Sequence, residues 1–214
     1  MSREPLLGDL IVAVAGGLTD AREELNRLDG VAGDGDLGVT AGRAADALLE
    51  LAPTLDGLHA TDAARAIGMT LARRVPSTGG TLIAFALLAA GRVDASDGEP
   101  VADVVGRMLE AARDEIATRG KVAPGDRTML DAAAPAAAAF RAAADGGASV
   151  ASCLAAAADA AEAGATSTVH MEATTGRAGW LADRARGHED AGARLIAVIF
   201  RAAAGPEASA GGEG

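Results

Sequence analysis

Eight stretches of helical period, at roughly 5–28, 39–52, 60–75, 79–92, 100–119, 128–144, 148–165 and 192–204, account for most of the chain. Between them lie connections rich in Gly, Pro and Asp: "GVAGDGDLG", "APTLDGLHA", "VPSTGG", "DASDGEP", "RGKVAPGD" and "DGGAS". Short turns between successive helices make neighbours antiparallel. No alternating β-branched run with a hairpin dipeptide occurs, and no fixed-period repeat, so sheet and solenoid architectures score poorly. The pattern predicts an all-α protein of eight antiparallel amphipathic helices. Side-chain size favours the same answer: aromatics are 2% of the 214 residues, Tyr is absent, and apolar content rests on Ala, Leu and Val. Small side chains let helix axes approach closely. A chain of this length supplies one sizeable core. Residues 1–204 are therefore expected to form a single domain, with "GPEASAGGEG", 205–214, as a disordered tail.

Charge and cysteine usage narrow the function classes. Asp and Glu outnumber Lys and Arg by 30 to 19, for a net charge of -11. Such a surface repels a phosphate backbone, so nucleic acid is not an expected partner. The single cysteine, Cys153, sits in "ASCLAAAADAA", which provides no disulfide framework and no CxxC metal pair, and reads as a buried structural thiol. The apolar patch "LIVAVAGGL" is too short to span a membrane. A cytoplasmic protein without membrane contact is expected.

The chemistry concentrates in "LDGVAGDGDLGVT", Leu28 to Thr40. Gly33, Gly35 and Gly38 spell GxGxxG, but the run before them is polar and helical instead of a buried strand. Asp34 and Asp36 would also repel a pyrophosphate, so a dinucleotide fingerprint is rejected. An EF-hand fails because Val39 stands where the invariant glycine belongs and Ala45 where the bidentate glutamate belongs. No GxxxxGK[ST] sequence occurs. A bare GDGD is often only a solvated turn. The third carboxylate, Asp29, tilts the reading: three oxygen donors on a glycine-rich curl suit Mg²⁺, which completes its shell with water and phosphate oxygens. Two such ions would offset about four charges of a triphosphate.

Four ordered motifs, "LDGVAGDGDLG", "IGMTL", "RGKVAPGDRTMLDAAAP" and "GRAGWLADRARGHEDAG", together resemble the DhaL family, the nucleotide-binding subunit or domain of dihydroxyacetone kinases. The resemblance implies an up-and-down barrel of eight antiparallel helices with nucleotide at one end. It implies Asp29, Asp34 and Asp36 as ligands of two Mg²⁺, with Leu37, Gly38, Val39 and Thr40 at a helix start facing phosphate oxygens. It places Thr78 and Gly79 on the phosphate loop and Gly120 and Met129 at the adenine pocket. Arg177, Asp190, Ala191 and Gly192 fall on the loop that covers the nucleotide, and Arg177 is the expected catalytic residue, offsetting phosphate charge.

Asp126 reads as an N-cap of the sixth helix, with Thr128 and Asp131 in its first turns. His59, His170 and His188 lack a nucleophile partner, so no catalytic histidine is assigned. Three positions depart from the family pattern: Leu37 replaces a usual histidine, "PSTGG" replaces a GGxSG-like loop, and Ala191 replaces a usual proline. The expected function is an ATP- or ADP-Mg-binding phosphoryl-transfer subunit, acting on dihydroxyacetone or a similar ketose held by a separate DhaK-like subunit. The alternatives are a phosphotransferase-system protein as donor to a permanently bound ADP, or a non-catalytic nucleotide-binding regulatory module.

Overall fold

The structure, a computed structural model, describes residues 7–96, 98–172 and 185–205. Among them lie nine α-helices and no strand. The helices are α1 (Leu7–Asp20), α2 (Arg22–Ala32), α3 (Leu37–Leu51), α4 (Ala60–Arg74), α5 (Thr78–Ala90), α6 (Val101–Gly120), α7 (Leu130–Asp145), α8 (Val150–Ser167) and α9 (Ala191–Ala204). Short 3-10 turns follow α3 and α8, at Ala52–Thr54 and Thr168–His170. Each helix packs on its successor from α3 onward, and α9 closes the ring against α1. The result is the expected all-α up-and-down barrel, with α1 and α2 together taking the place of the first helix. No helix among the described residues is long and apolar enough to cross a membrane.

The first predicted helix, 5–28, is two helices. It breaks at Ala21, after Gly16 and Gly17, where a Cβ on Gly17 would lie 2.7 Å from the Cβ of Ala202 on α9. Glycine pairs are a common cause of helix breaks. The close approach to α9 is a tertiary demand that helical period does not register. The core fills the ring with small residues: Ala132, Ala136, Ala157, Ala161 and Ala193 surround the fully buried Phe140 in one half. Leu18, Leu25, Leu48 and Leu55 fill the other. Truncating an aromatic in such surroundings typically costs about 3–5 kcal/mol. Cys153 belongs to this core, and burial pushes its thiol pKa up, as a structural thiol requires.

Helix starts are capped in two ways. Ser77, Ser149 and Asp190 cap α5, α8 and α9 with their own side chains, accepting from Gly80 N, Ser152 N and Ala193 N. α3 and α7 are held differently. Asp126 does not cap the sixth predicted helix: α7 begins at Leu130, and the Asp126 carboxylate accepts from Ala123 N, 2.7 Å away, inside the preceding loop. Asp131 takes over, accepting from Thr128 N at 2.7 Å and Gly125 N at 2.5 Å.

Candidate functional site

Alternation around the ring sends the starts of α3, α5, α7 and α9 to one end of the barrel. The connections 33–36, 75–77 and 121–129 lie at that end, as do the described parts of the α8–α9 connection, 168–172 and 185–190. Four helix N-termini there present partly positive ends and amide donors, a setting that favours anions. The described candidates named from sequence all fall at this end. Arg177 lies outside the described residues, as do residues 206–214 of the expected tail.

The aspartate cluster is built by α2 and α3. Asp29 sits in the last turn of α2, Asp34 and Asp36 on the connection, and one carboxylate oxygen from each lies within 4.8 Å of the others. Gly35, at φ 77, turns the chain in the left-handed region that glycine adopts without strain. Asp29 Oδ2 accepts from Asp36 N at 2.9 Å and from Leu37 N at 3.3 Å. Asn26 Oδ1 accepts from Gly38 N at 2.7 Å. α2 therefore caps α3 from outside, and the Asp36 side chain, though at the N-cap position, makes no capping bond. An all-oxygen, all-anionic donor set of this span fits a hard divalent cation such as Mg²⁺.

The same bonds redirect the candidates at the start of α3. The amides of Leu37 and Gly38 are turned to Asp29 and Asn26, so an approach of these two residues to phosphate uses other atoms. Leu37 is half-buried and packs against the core half that holds Leu25. A Cβ on Gly38 would run into the carbonyl oxygen of Arg22, so glycine there is fixed by the α2–α3 contact. Val39 is exposed and Thr40 buried.

The remaining described candidates meet around Met129. Thr78 is exposed at the start of α5, and Gly79 faces the Met129 methyl, 4.0 Å from where a Cβ would sit. A Cβ on Gly192 would lie 3.3 Å from the Met129 Cβ, which brings α9 to the other side of that side chain. Gly120 closes α6 beside Val122 and Leu82, and these two pack with Met129 on one apolar cluster. Asp190 caps α9, its own N–H donating to Thr168 Oγ1 at 2.8 Å and its Oδ1 accepting from Ala193 N at 2.8 Å. Burial pushes its carboxyl pKa up from 3.8 to about 6, opposed by the Ala193 bond and the Arg127 charge and reinforced by Asp131. Next to it, Arg194 bonds Glu189 and Glu162 and holds Glu189 below the usual carboxylate range. A shallow groove of about 490 Å³ between α8 and α9, lined by Asp159, Glu162, Thr166, His170 and Arg201 among others, contains none of these candidates.

The model of the DAK2 domain matches residues 31–205, most of the chain. The chain belongs to the DAK2 domain family. It is 30% identical to the Escherichia coli PEP-dependent dihydroxyacetone kinase, ADP-binding subunit DhaL, over 84% of this chain and 85% of that one. It is 36% identical to the D-erythrulose kinase of Mycolicibacterium smegmatis over 90% of this chain, and 36% identical to the Mus musculus triokinase/FMN cyclase over 86%. The chain spans about a third of the length of those two relatives, 33% and 32%. In three dimensions it matches the dihydroxyacetone kinase of C. freundii in complex with AMP-PNP and Mg²⁺, with a TM-score of 0.72, 28% identity and coverage of 95% of this chain and 34% of that one.

Several residues that hold this DAK2 domain's site together were not legible as site residues. Asn26 lies twelve positions from the amide it caps. Arg127 and Thr168 bond across 41 residues, and Asp190 reaches Thr168 across 22. A left-handed, non-glycine backbone, φ 61, combined with near-complete burial is the feature that marks Arg127, and only coordinates reveal it.

Proposed function

We propose that this DAK2 domain is the Mg-nucleotide-binding, phosphoryl-transfer part of a dihydroxyacetone kinase-like enzyme, acting on a short ketose presented by a separate DhaK-like chain. Membership of the family supports a nucleotide-binding kinase unit. The observation that carries the finer reading is the convergence of three carboxylate oxygens within 4.8 Å at the end where four helices start. Asp29, Asp34 and Asp36 would hold Mg²⁺, with two ions matching the charge of a triphosphate. When bound, the metal neutralises phosphate charge and orients the transferred group.

The chain's own residues do the rest. Thr78 and Gly79 at the start of α5, with Thr40 on α3, line the phosphate side. Gly120 and Met129 give an apolar wall for a flat base, and Asp190, Ala191 and Gly192 border it from α9. Arg177 offsets phosphate charge. Catalysis of this kind is mostly positioning and electrostatics, and the acceptor hydroxyl comes from the ketose held by the partner.

ATP as an exchangeable donor is favoured over a permanently bound ADP because Leu37 is half-buried in the core and offers no polar atom to a nucleotide. The test is phosphoryl transfer from MgATP to dihydroxyacetone or erythrulose, with and without a DhaK-like chain. Activity is expected only on mixing. Turnover by the isolated chain would overturn the two-component reading, and Mg-nucleotide binding with no transfer to any ketose on mixing would leave the regulatory-module alternative in its place.

A further inference from the structure

We propose that Arg127 is a positioning residue for the nucleotide site, fixing the start of α9 against Met129 by holding three backbone carbonyls of the α8–α9 connection. The proposal rests on the reading of this barrel end as a nucleotide site. Arg127 is 3% exposed. Its Nε donates to Thr168 O at 3.2 Å, and its Nη2 donates to Ala185 O at 2.8 Å and His188 O at 2.7 Å. Thr168, fully buried, relays the restraint: its Oγ1 donates to Ala165 O at 2.5 Å and accepts from Asp190 N at 2.8 Å. Asp190 in turn caps α9 through Ala193 N. The guanidinium, the hydroxyl and the carboxylate thus form one chain from the α6–α7 loop to the first turn of α9.

The loop end of that chain is anchored as well. Asp131 accepts from Gly125 N and Thr128 N, pinning the residues on either side of Arg127. The backbone at Arg127 is left-handed, φ 61, a conformation that glycine takes at far lower cost. An arginine kept there is explained by its side chain. A planar fork with several fixed N–H directions can serve three carbonyls at once, and a lysine ammonium on a flexible stem cannot hold the same geometry. Among the described residues the hydrogen bonds of Arg127 go to backbone carbonyls, so its effect on nucleotide passes through Asp190, Gly192 and Met129.

Arg127→Lys keeps the charge and loses the fork. Thr168→Val keeps the shape and removes only the relay hydroxyl, so it decides the matter if Arg127→Lys does not fold. Both variants and wild type are compared by amide hydrogen exchange over residues 185–192, MgADP calorimetry, and nucleotide KM and kcat with a DhaK-like chain. Expected are faster exchange over 185–192 with α3 and α4 unchanged, MgADP affinity reduced about tenfold or more, and a rise in nucleotide KM that exceeds any fall in kcat. Wild-type exchange in the variants, or MgADP affinity within about twofold of a wild type that does bind, overturns the proposal alone. A wild type that binds no MgADP overturns the functional reading and the proposal with it.

Discussion

Replacing Asp190 with asparagine should stabilise the folded chain at neutral pH, and the size of the gain can be worked from its surroundings. Its carboxyl titrates near 6 in the fold against an ordinary 3.8. Below pH ~4 the group is protonated folded or unfolded and costs nothing. Between about 4 and 6 the unfolded chain gives up the proton first, so the folded state binds more protons and stability falls as pH rises. Above about 6 both forms are ionised, and the fold carries the full desolvation cost. Two pKa units and a little more correspond to about 3 kcal/mol, an upper limit because Asp190 keeps part of its surface in solvent. Asparagine cannot ionise and still caps through its Oδ1. Thermal melts of wild type and Asp190→Asn should coincide near pH 4 and diverge upward, the variant gaining up to roughly 6–12 °C at pH 7.5. A difference that does not change with pH, or a variant less stable at pH 7.5, would refute the assignment of the desolvation cost to Asp190. A carboxylate retained at such a cost fits a residue kept for ligand binding instead of folding.

Three further substitutions probe the same end of the barrel. Asp34→Ala should abolish Mg-dependent nucleotide binding by calorimetry while the far-ultraviolet helical signal stays at the wild-type level; unchanged affinity would remove the metal assignment. Gly38→Ala drives a Cβ into the Arg22 carbonyl and should cost about 1–3 kcal/mol in denaturant unfolding while weakening Mg-nucleotide binding, because the Asn26 and Asp29 bonds to α3 must break as the helices part. Leu37→His should slow ADP release, read as nucleotide retained through dialysis; stoichiometric ADP in dialysed wild type would instead move the chain to the phosphotransferase-dependent class.

The order of the helices was legible because each helix buries an apolar face, and a 3.6-residue period records that face directly. The break at Ala21 was not, since the close approach beside it joins Gly17 to Ala202, 185 positions away. Asp126 was misread as a cap for a related reason. Its spacing before an Ala-rich run is what a cap requires, but left-handed residues Gly125 and Arg127 turn the chain so that the N–H groups of Gly125 and Thr128 reach Asp131. The aspartate cluster was legible because its three members are local and their chemistry is uncommon. Asn26, which supports that cluster's end of α3, and Thr168, which supports the start of α9, were hidden because they are ordinary polar residues whose partners are chosen by the ring.

Asp29 joins the candidate metal site to the fold. Its Oδ2 accepts the first amides of α3, while its Oδ1 lies over Gly33, where a Cβ would strike it. One oxygen is thus engaged in ordering a helix start, and the other edge of the carboxylate is left clear by glycine. The partly positive end of α3 offsets charge that would otherwise set three carboxylates against each other over less than 5 Å. A cation placed there pulls on the residue that fixes where α3 begins. Under the proposed function, cation occupancy would thereby be linked to the position of Thr40 at the start of α3. Under the proposed function, such a link would help a chain of net charge -11 admit phosphates, since its overall charge opposes an anion that the four helix ends favour.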